Sequence, residues 1–252
     1  MNGFRGLLEK EIVRFWRVAF QTIAAPVLTT FLYLLVFSHI LSEKVYVFEG
    51  VSYVEFLIPG LVMMSVLQNS FANSSSSLIQ SKVTGNLLLI VLPPISPLAF
   101  FNAYVCASVI RGLLIGAGVL ATGIFFVPTL TPASPFLLLL FAVLGGIMTG
   151  ALGIIAGLWA EKFDQLGMFQ NFIIMPLTFL SGVFYSIQSL PDFWRGLSSF
   201  NPFLYMIDGF RRGFFAQGDI PLTTSLLVTV TLTIAVSWLA LHLVRTGYKI
   251  KT

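Results

Sequence analysis

The chain alternates long apolar stretches with short polar breaks. Charge-free runs cover residues 18–42, 56–81, 83–110, 112–160, 165–191 and 220–244. A helix of about 20 apolar residues crosses a bilayer core. The run 112–160 is too long for one crossing, and Pro128, Pro132 and Pro135 divide it. Pro93, Pro94 and Pro97 likewise end the first part of the run 83–110. The pattern predicts an all-α integral membrane protein, one transmembrane domain over 1–252. Its six crossings fall at 20–42, 56–79, 98–127, 135–160, 166–185 and 221–244.

Residues 4–20 have a different pattern. Phe4, Leu8, Ile12, Phe15 and Ala19 recur at helical spacing, while Arg5, Glu9, Arg14 and Arg17 lie largely elsewhere on the wheel. That predicts an amphipathic helix in the inner headgroup plane. Between the fifth and sixth crossings, Pro191 and Pro202 forbid one continuous helix over 186–220. Phe193, Trp194, Leu197, Phe200, Phe203, Leu204, Tyr205 and Met206 make the stretch too apolar for a solvent loop. It is expected to form two short helices that dip into the outer leaflet as a re-entrant hairpin. On the returning helix Asp208 is spaced to pair with Arg211 and Arg212.

Composition narrows the class. The chain is 57% apolar and 10% charged, whereas soluble domains carry about 25% charged residues. A soluble enzyme, a disordered chain and a nucleic-acid-binding domain are excluded on that ground. The net charge of +4 reflects basic loops on the cytoplasmic side. With both termini inside, nine Lys/Arg lie inside and four outside, as the positive-inside rule requires. The single cysteine, Cys106, excludes an intramolecular disulfide. Arg5, Lys10, Arg14 and Arg17 are spread along the first twenty residues, which is not the pattern of a cleaved signal peptide.

Candidate chemistry is sparse. There is no phosphate-binding loop for ATP, no catalytic set and no metal-ligand spacing around His39 or His242. No Asp or Glu lies deep in a crossing, where ion-driven carriers keep them. Energy for any transport is therefore expected from another polypeptide. Arg111 is the one intramembrane charge; it either snorkels to the inner headgroups or lines a polar contact. The polar run 69–77 sits inside the second crossing, where hydroxyls and amides bond across helices. Gly146, Gly150, Gly153 and Gly157 form a small-residue face that packs helices within or between subunits. The segment 80–97 reads as a short apolar helix ended by prolines on the cytoplasmic side, either a docking site or a helix folded onto the inner leaflet.

Two stretches carry a resemblance. Lys82, Val83, Thr84, Gly85, Asn86, Leu87, Leu88 and Leu89, closed by Pro93 and Pro94, resemble the coupling-helix loop of ABC-2 type exporter permeases. The second begins at 176–186 and continues through Pro191, Phe193, Trp194, Asn201, Pro202, Asp208 and Arg211. It resembles the family's signature around the fifth crossing and its outer loop. The Arg111-Gly112-Leu113 step is similar to that of bacterial inner-membrane members. Where those members often carry glutamate, this chain has Asn86, Leu87 and Leu88.

The resemblance implies a homodimer in the bacterial inner membrane, both termini cytoplasmic, bound to two copies of a separate ABC ATPase. ATP and Mg would bind that ATPase, leaving no cofactor on this chain. Residues 82–94 would transmit force and no residue would be catalytic; membrane lipids are further partners and nucleic acid is not. Two other classes, an autonomous channel or ion-coupled carrier and a membrane-embedded lipid-modifying enzyme, are disfavoured by the missing carboxylates and the missing His/Asp/Glu constellation. The excess of Phe, 25 against 7 Tyr and 4 Trp, points to a hydrophobic or amphipathic substrate, because carbohydrate paths favour amphipathic rings.

Overall fold

The computed structural model describes residues 3–41, 46–48, 50–87 and 95–249. Helix α1 (Gly3–Arg17) is separated from α2 (Ala19–Leu41) by Val18 alone. Strands β1 (Tyr46–Phe48) and β2 (Val51–Ser52) form a small antiparallel hairpin, with Gly50 at its turn in the left-handed region at φ +74°. This hairpin is a small addition to the helical architecture that the sequence pattern predicts. Then come α3 (Tyr53–Val83), α4 (Pro97–Phe126) and α5 (Pro135–Trp159). A broken run follows: α6 (Phe163–Phe169), a π-helical turn (Gln170–Ile174) and α7 (Met175–Phe179). The chain closes with a 3-10 turn (Ile187–Ser189), α8 (Asp192–Ser198), α9 (Pro202–Phe215) and α10 (Leu222–Thr246).

Local chemistry explains the starts. Ser96, Ser134 and Asn201 each accept a hydrogen bond from a first-turn N–H, and each is followed by proline at the first helical position. Proline fits there because that N–H has no helical partner. Ser52 and Glu55 form a reciprocal capping box at the start of α3.

Among the described residues five helices, α2, α3, α4, α5 and α10, are long and apolar enough to cross a membrane. The run expected to cross at 166–185 is not one of these five helices. The helical run ends at Phe179, and a turn follows in which Gly182 sits at φ +75°. The expected coupling loop also starts later than residue 80, because α3 continues to Val83.

Helix α3 is the centre of the bundle and packs most heavily on α5 and α4. Helix α9 lies on α5, α10 and α3. It does so through Gly209, which faces the Phe141 ring, and Gly213, which faces Leu138. Two buried clusters result. The larger includes Leu57, Met63, Phe71, Phe141, Phe203 and Met206. The smaller, at one end of the bundle, joins Leu7, Leu78, Leu87, Tyr104, Leu158 and Val244.

Candidate functional site

The end of the bundle near the smaller cluster carries a polar seam along α3. Ser74 donates to the Gly150 carbonyl at 2.6 Å and Ser70 to the Ser108 carbonyl at 3.1 Å. Asn73 donates to the Ser108 hydroxyl at 3.4 Å. Such bonds satisfy polar groups that water does not reach. Gly146, Gly150, Gly153 and Gly157 face α3 and α4 of the same chain. A Cβ on Gly150 would stand 2.9 Å from that of Ser108, and one on Gly157 2.8 Å from that of Leu78.

Helix α1 meets this seam with a face that shares only Phe15 with the expected stripe. Its buried residues are Leu7, Glu11 and Phe15. The Glu11 carboxylate accepts from Ser77 at 2.6 Å, Lys10 at 2.9 Å and Arg14 at 3.2 Å. Arg14 also donates to the carbonyl and side-chain oxygen of Asn73. Of the expected stripe, Phe15 is buried, whereas Phe4, Leu8, Ile12 and Ala19 are half-buried. Glu11 turns inward, with Arg14 half-buried beside it, because α3 offers hydroxyl and amide partners there, while Arg5, Glu9 and Arg17 stay exposed. The sequence signal was present as Lys10 beside Glu11 and Arg14 three residues on. Glu11→Ala is expected to destabilise the purified protein by about 1–3 kcal/mol. That is less than a wholly buried pair loses, because Lys10 keeps contact with water. An unchanged thermal midpoint would remove Glu11 as the anchor of α1.

Arg111 takes the polar-contact alternative. It is 8% exposed, its guanidinium lies 5.6 Å from the Phe15 ring centroid, and it reaches the Asn69 side chain at 3.5 Å.

The expected coupling residues divide. Lys82 turns inward and caps the end of α5, donating to the carbonyls of Leu158 and, at 3.0 Å, Ala160. Cations belong at a helix C-terminus, where carbonyls lack helical partners. Val83, Thr84, Gly85 and Asn86 form an exposed turn, with Gly85 at φ +72°. Leu87 is 4% exposed and belongs to the smaller core cluster with Leu7 and Phe100, so it does not offer its side chain to a partner. Leu88, Leu89, Pro93 and Pro94 lie outside the described residues. Leu87→Asp is therefore expected to lower the yield of folded protein, because an unpaired charge would be buried. Wild-type yield and melting would show that Leu87 faces outward.

Nearby, Lys249 donates to Glu161 at 2.6 Å. That hydrogen bond holds the Glu161 carboxyl below the usual carboxylate range and raises the Lys249 ammonium.

At the other end, 187–218 forms an excursion closed at its base by Asp219. Its carboxylate accepts from the Ser186 hydroxyl at 2.5 Å and the Ile187 N–H at 3.0 Å. Asp208, 1% exposed, accepts the N–H groups of Asp219 and Ile220 at 2.7 and 3.3 Å. Arg211 donates to the Gly182 and Val183 carbonyls at 2.8 and 3.4 Å and lies 3.7 Å from the Phe56 ring centroid. Arg212 donates to the carbonyls of Gly218 and Ile220. The expected Asp208–Arg211 and Asp208–Arg212 pairs are thus corrected, since no such ion pair occurs among the described residues. Backbone groups at the turns claim both partners. Asn201 ties the inner end of the excursion by donating to the Leu177 carbonyl at 2.6 Å. Pro191 precedes α8, while Phe193, Trp194, Leu197 and Phe200 are exposed. The roles of Asn201 and Asp219 as ties had no sequence signal beyond their capping chemistry.

Between α2, α3 and the broken run lies a cavity of about 280 Å³. Thr30, Tyr33, Ser65 and Gln68 give it polar edges; Met175 and Phe179 give it an apolar wall. Gln68 donates to Thr178 at 3.1 Å. The π-helical turn is adjacent in sequence, and such turns often occur at functional sites.

Span-length helices tied by buried hydroxyls, with apolar surface left over, define a multi-pass membrane protein rather than a soluble catalyst. The chain belongs to the ABC-2 type transporter family, whose model it matches over residues 2–215. It is 37% identical to the inner membrane transport permease YadH of Escherichia coli (strain K12) over 245 residues, covering 97% of this chain and 95% of that protein. It is 26% identical to the capsule polysaccharide export inner-membrane protein BexB of Haemophilus influenzae over 206 residues, covering 79% and 71%. Nodulation protein J of Rhizobium leguminosarum bv. viciae is 28% identical over 105 residues, 40% of each chain.

Proposed function

We propose that this protein is the transmembrane permease subunit of an ATP-binding cassette exporter. It acts as a homodimer with two copies of a separate ATPase, which supplies the ATP and Mg sites. The cargo is a hydrophobic or amphipathic molecule moved outward across the inner membrane. The observation that carries this reading is the 37% identity to a transport permease across 97% of the chain.

The geometry supports its details. Lys82, Glu161, Lys249 and α1 gather at one end of the bundle, which we assign to the cytoplasm with both termini. The exposed turn at 83–86 is then the ATPase contact, together with the remainder of the coupling segment through Pro94. The run 163–179 serves as the fifth of six crossings, and 186–220 is the outer re-entrant element. The cavity beside Tyr33 and Gln68 has the mixed lining an amphipathic cargo needs.

The test is co-expression with candidate ABC ATPase subunits from the same organism, followed by co-purification and ATP-dependent accumulation of dye-like amphiphiles in inverted vesicles. A stable complex and ATP-dependent uptake are expected. Val83→Asp with Asn86→Asp should weaken the complex while leaving the permease folded, since both side chains are exposed. A permease that never associates with an ATPase, yet transports, would overturn the reading.

A further inference from the structure

A second cleft, of about 510 Å³, opens between α1 and the end of α3. Lys10, Arg14 and Arg17 line one side; Gln80, Thr84 and Asn86 line the other. Among the described residues the one carboxylate paired with these cations is Glu11, which is fully buried and bonded to Lys10 and Arg14, and no carboxylate lines the cleft itself. Three cations against one carboxylate leave the cleft with a positive balance. Arg14 is spent on Glu11, Asn73 and Ser76. Arg17 is exposed and has no ion-pair or hydrogen-bond partner among the described residues. Lys10 gives one donor to Glu11 and keeps two more.

The surroundings indicate what fills the cleft. Val13 and Val18 line its rim, and Trp16 and Phe20 beside it are 67% and 88% exposed. Val18 is also the single residue between α1 and the span-length α2, so the cleft stands where a crossing enters the headgroup layer. Exposed Trp belongs at that depth, and basic pockets there attract anionic headgroups.

We propose that this cleft binds the phosphate of an anionic inner-leaflet phospholipid. The phosphate bridges Arg17 and Lys10 to the side-chain amides of Gln80 and Asn86, the Thr84 hydroxyl being committed to the Gln80 carbonyl. The acyl chains leave over Val13, Val18 and Phe20. Because Asn86 belongs to the exposed turn, the bound lipid braces the segment through which the ATPase acts. The assignment to the inner leaflet rests on the orientation given under Proposed function.

The test uses the full-length permease alone, in detergent, with lipid binding followed by native mass spectrometry. Phosphatidylglycerol is expected to bind at least about fivefold more tightly than phosphatidylcholine, and Arg17→Ala to weaken it by about fivefold. Arg5→Ala, on the same helix but outside the cleft, should leave binding unchanged. Equal binding of the two lipids, or equal losses in Arg17→Ala and Arg5→Ala, would overturn the site. Full displacement of the lipid by millimolar inorganic phosphate would make it a soluble-anion site. Loss of the lipid on adding the ATPase would make the cleft a protein contact, and either result defeats the proposal. The binding arms need no ATPase, so a failure of the exporter reading would leave them interpretable.

Discussion

Arg211→Ala is expected to destabilise the protein by about 3–5 kcal/mol, read as a large drop in the thermal midpoint in detergent. Arg211 is among the largest fully buried side chains. Its guanidinium holds the turn after α7 by the carbonyls of Gly182 and Val183 while stacking on Phe56 of α3. Removing it opens a cavity and strips a donor from carbonyls that water does not reach. Gly60 closes the other side: a Cβ there would come 2.8 Å from the Val183 oxygen and 3.1 Å from the guanidinium. Collapse around the lost side chain is therefore restricted. Arg211→Lys should recover only part of the loss, since an ammonium cannot stack as a planar fork does. Wild-type stability in Arg211→Ala would show that the turn is held by something else.

Gly153→Ala is expected to cost about 1–3 kcal/mol and Gly153→Leu more, with loss of folded protein on purification. A Cβ at Gly153 would stand 2.5 Å from the Phe71 carbonyl oxygen and 3.2 Å from the Ser75 nitrogen. Both are backbone atoms of α3, so no rotamer change relieves the clash and the helices must part. Gly146 offers the contrast. Its nearest neighbours are the Ser70 hydroxyl and a Val109 methyl, each at 3.3 Å. Gly146→Ala should be clearly milder. Gly196 in α8 meets nothing within 4 Å, and Gly196→Ala should be neutral or slightly stabilising. Equal effects at 146, 153 and 196 would mean that backbone proximity does not set the cost.

Much of this architecture was legible because single residues mark it. Pro97, Pro135 and Pro202, which break the apolar runs, mark element boundaries, and each proves to open a helix behind a capping Ser or Asn. The glycine face of α5 was legible as a close-packing surface, but its partner was not. Spacing cannot tell Phe71 of the same chain from a second copy. The end of the run 163–179 was misjudged because apolar residues continue through Phe184. Only the backbone shows the chain already turning at Gly182. Glu11 was missed because a helical wheel places charge outward by default, while the hydroxyls that receive it sit more than sixty residues away. Lys82 and Leu87 illustrate the converse. Their place in a segment expected on the cytoplasmic side suggested partner contact, whereas the α5 terminus and the smaller core claim them first.

The seam on α3 also bears on how the chain is made. During synthesis α3 reaches the membrane before α4 and α5 exist. It is the least apolar of the five span-length helices and the most buried in the finished bundle. Until Ser108 and Gly150 arrive, the hydroxyls of Ser70 and Ser74 lack the carbonyls they finally bond, and in hydrocarbon such unpaired groups are costly. Stable insertion of α3 is thus a joint event with its successors. A nascent chain stopped after residue 87 should remain beside the insertion machinery, whereas one extended past α5 should partition into lipid.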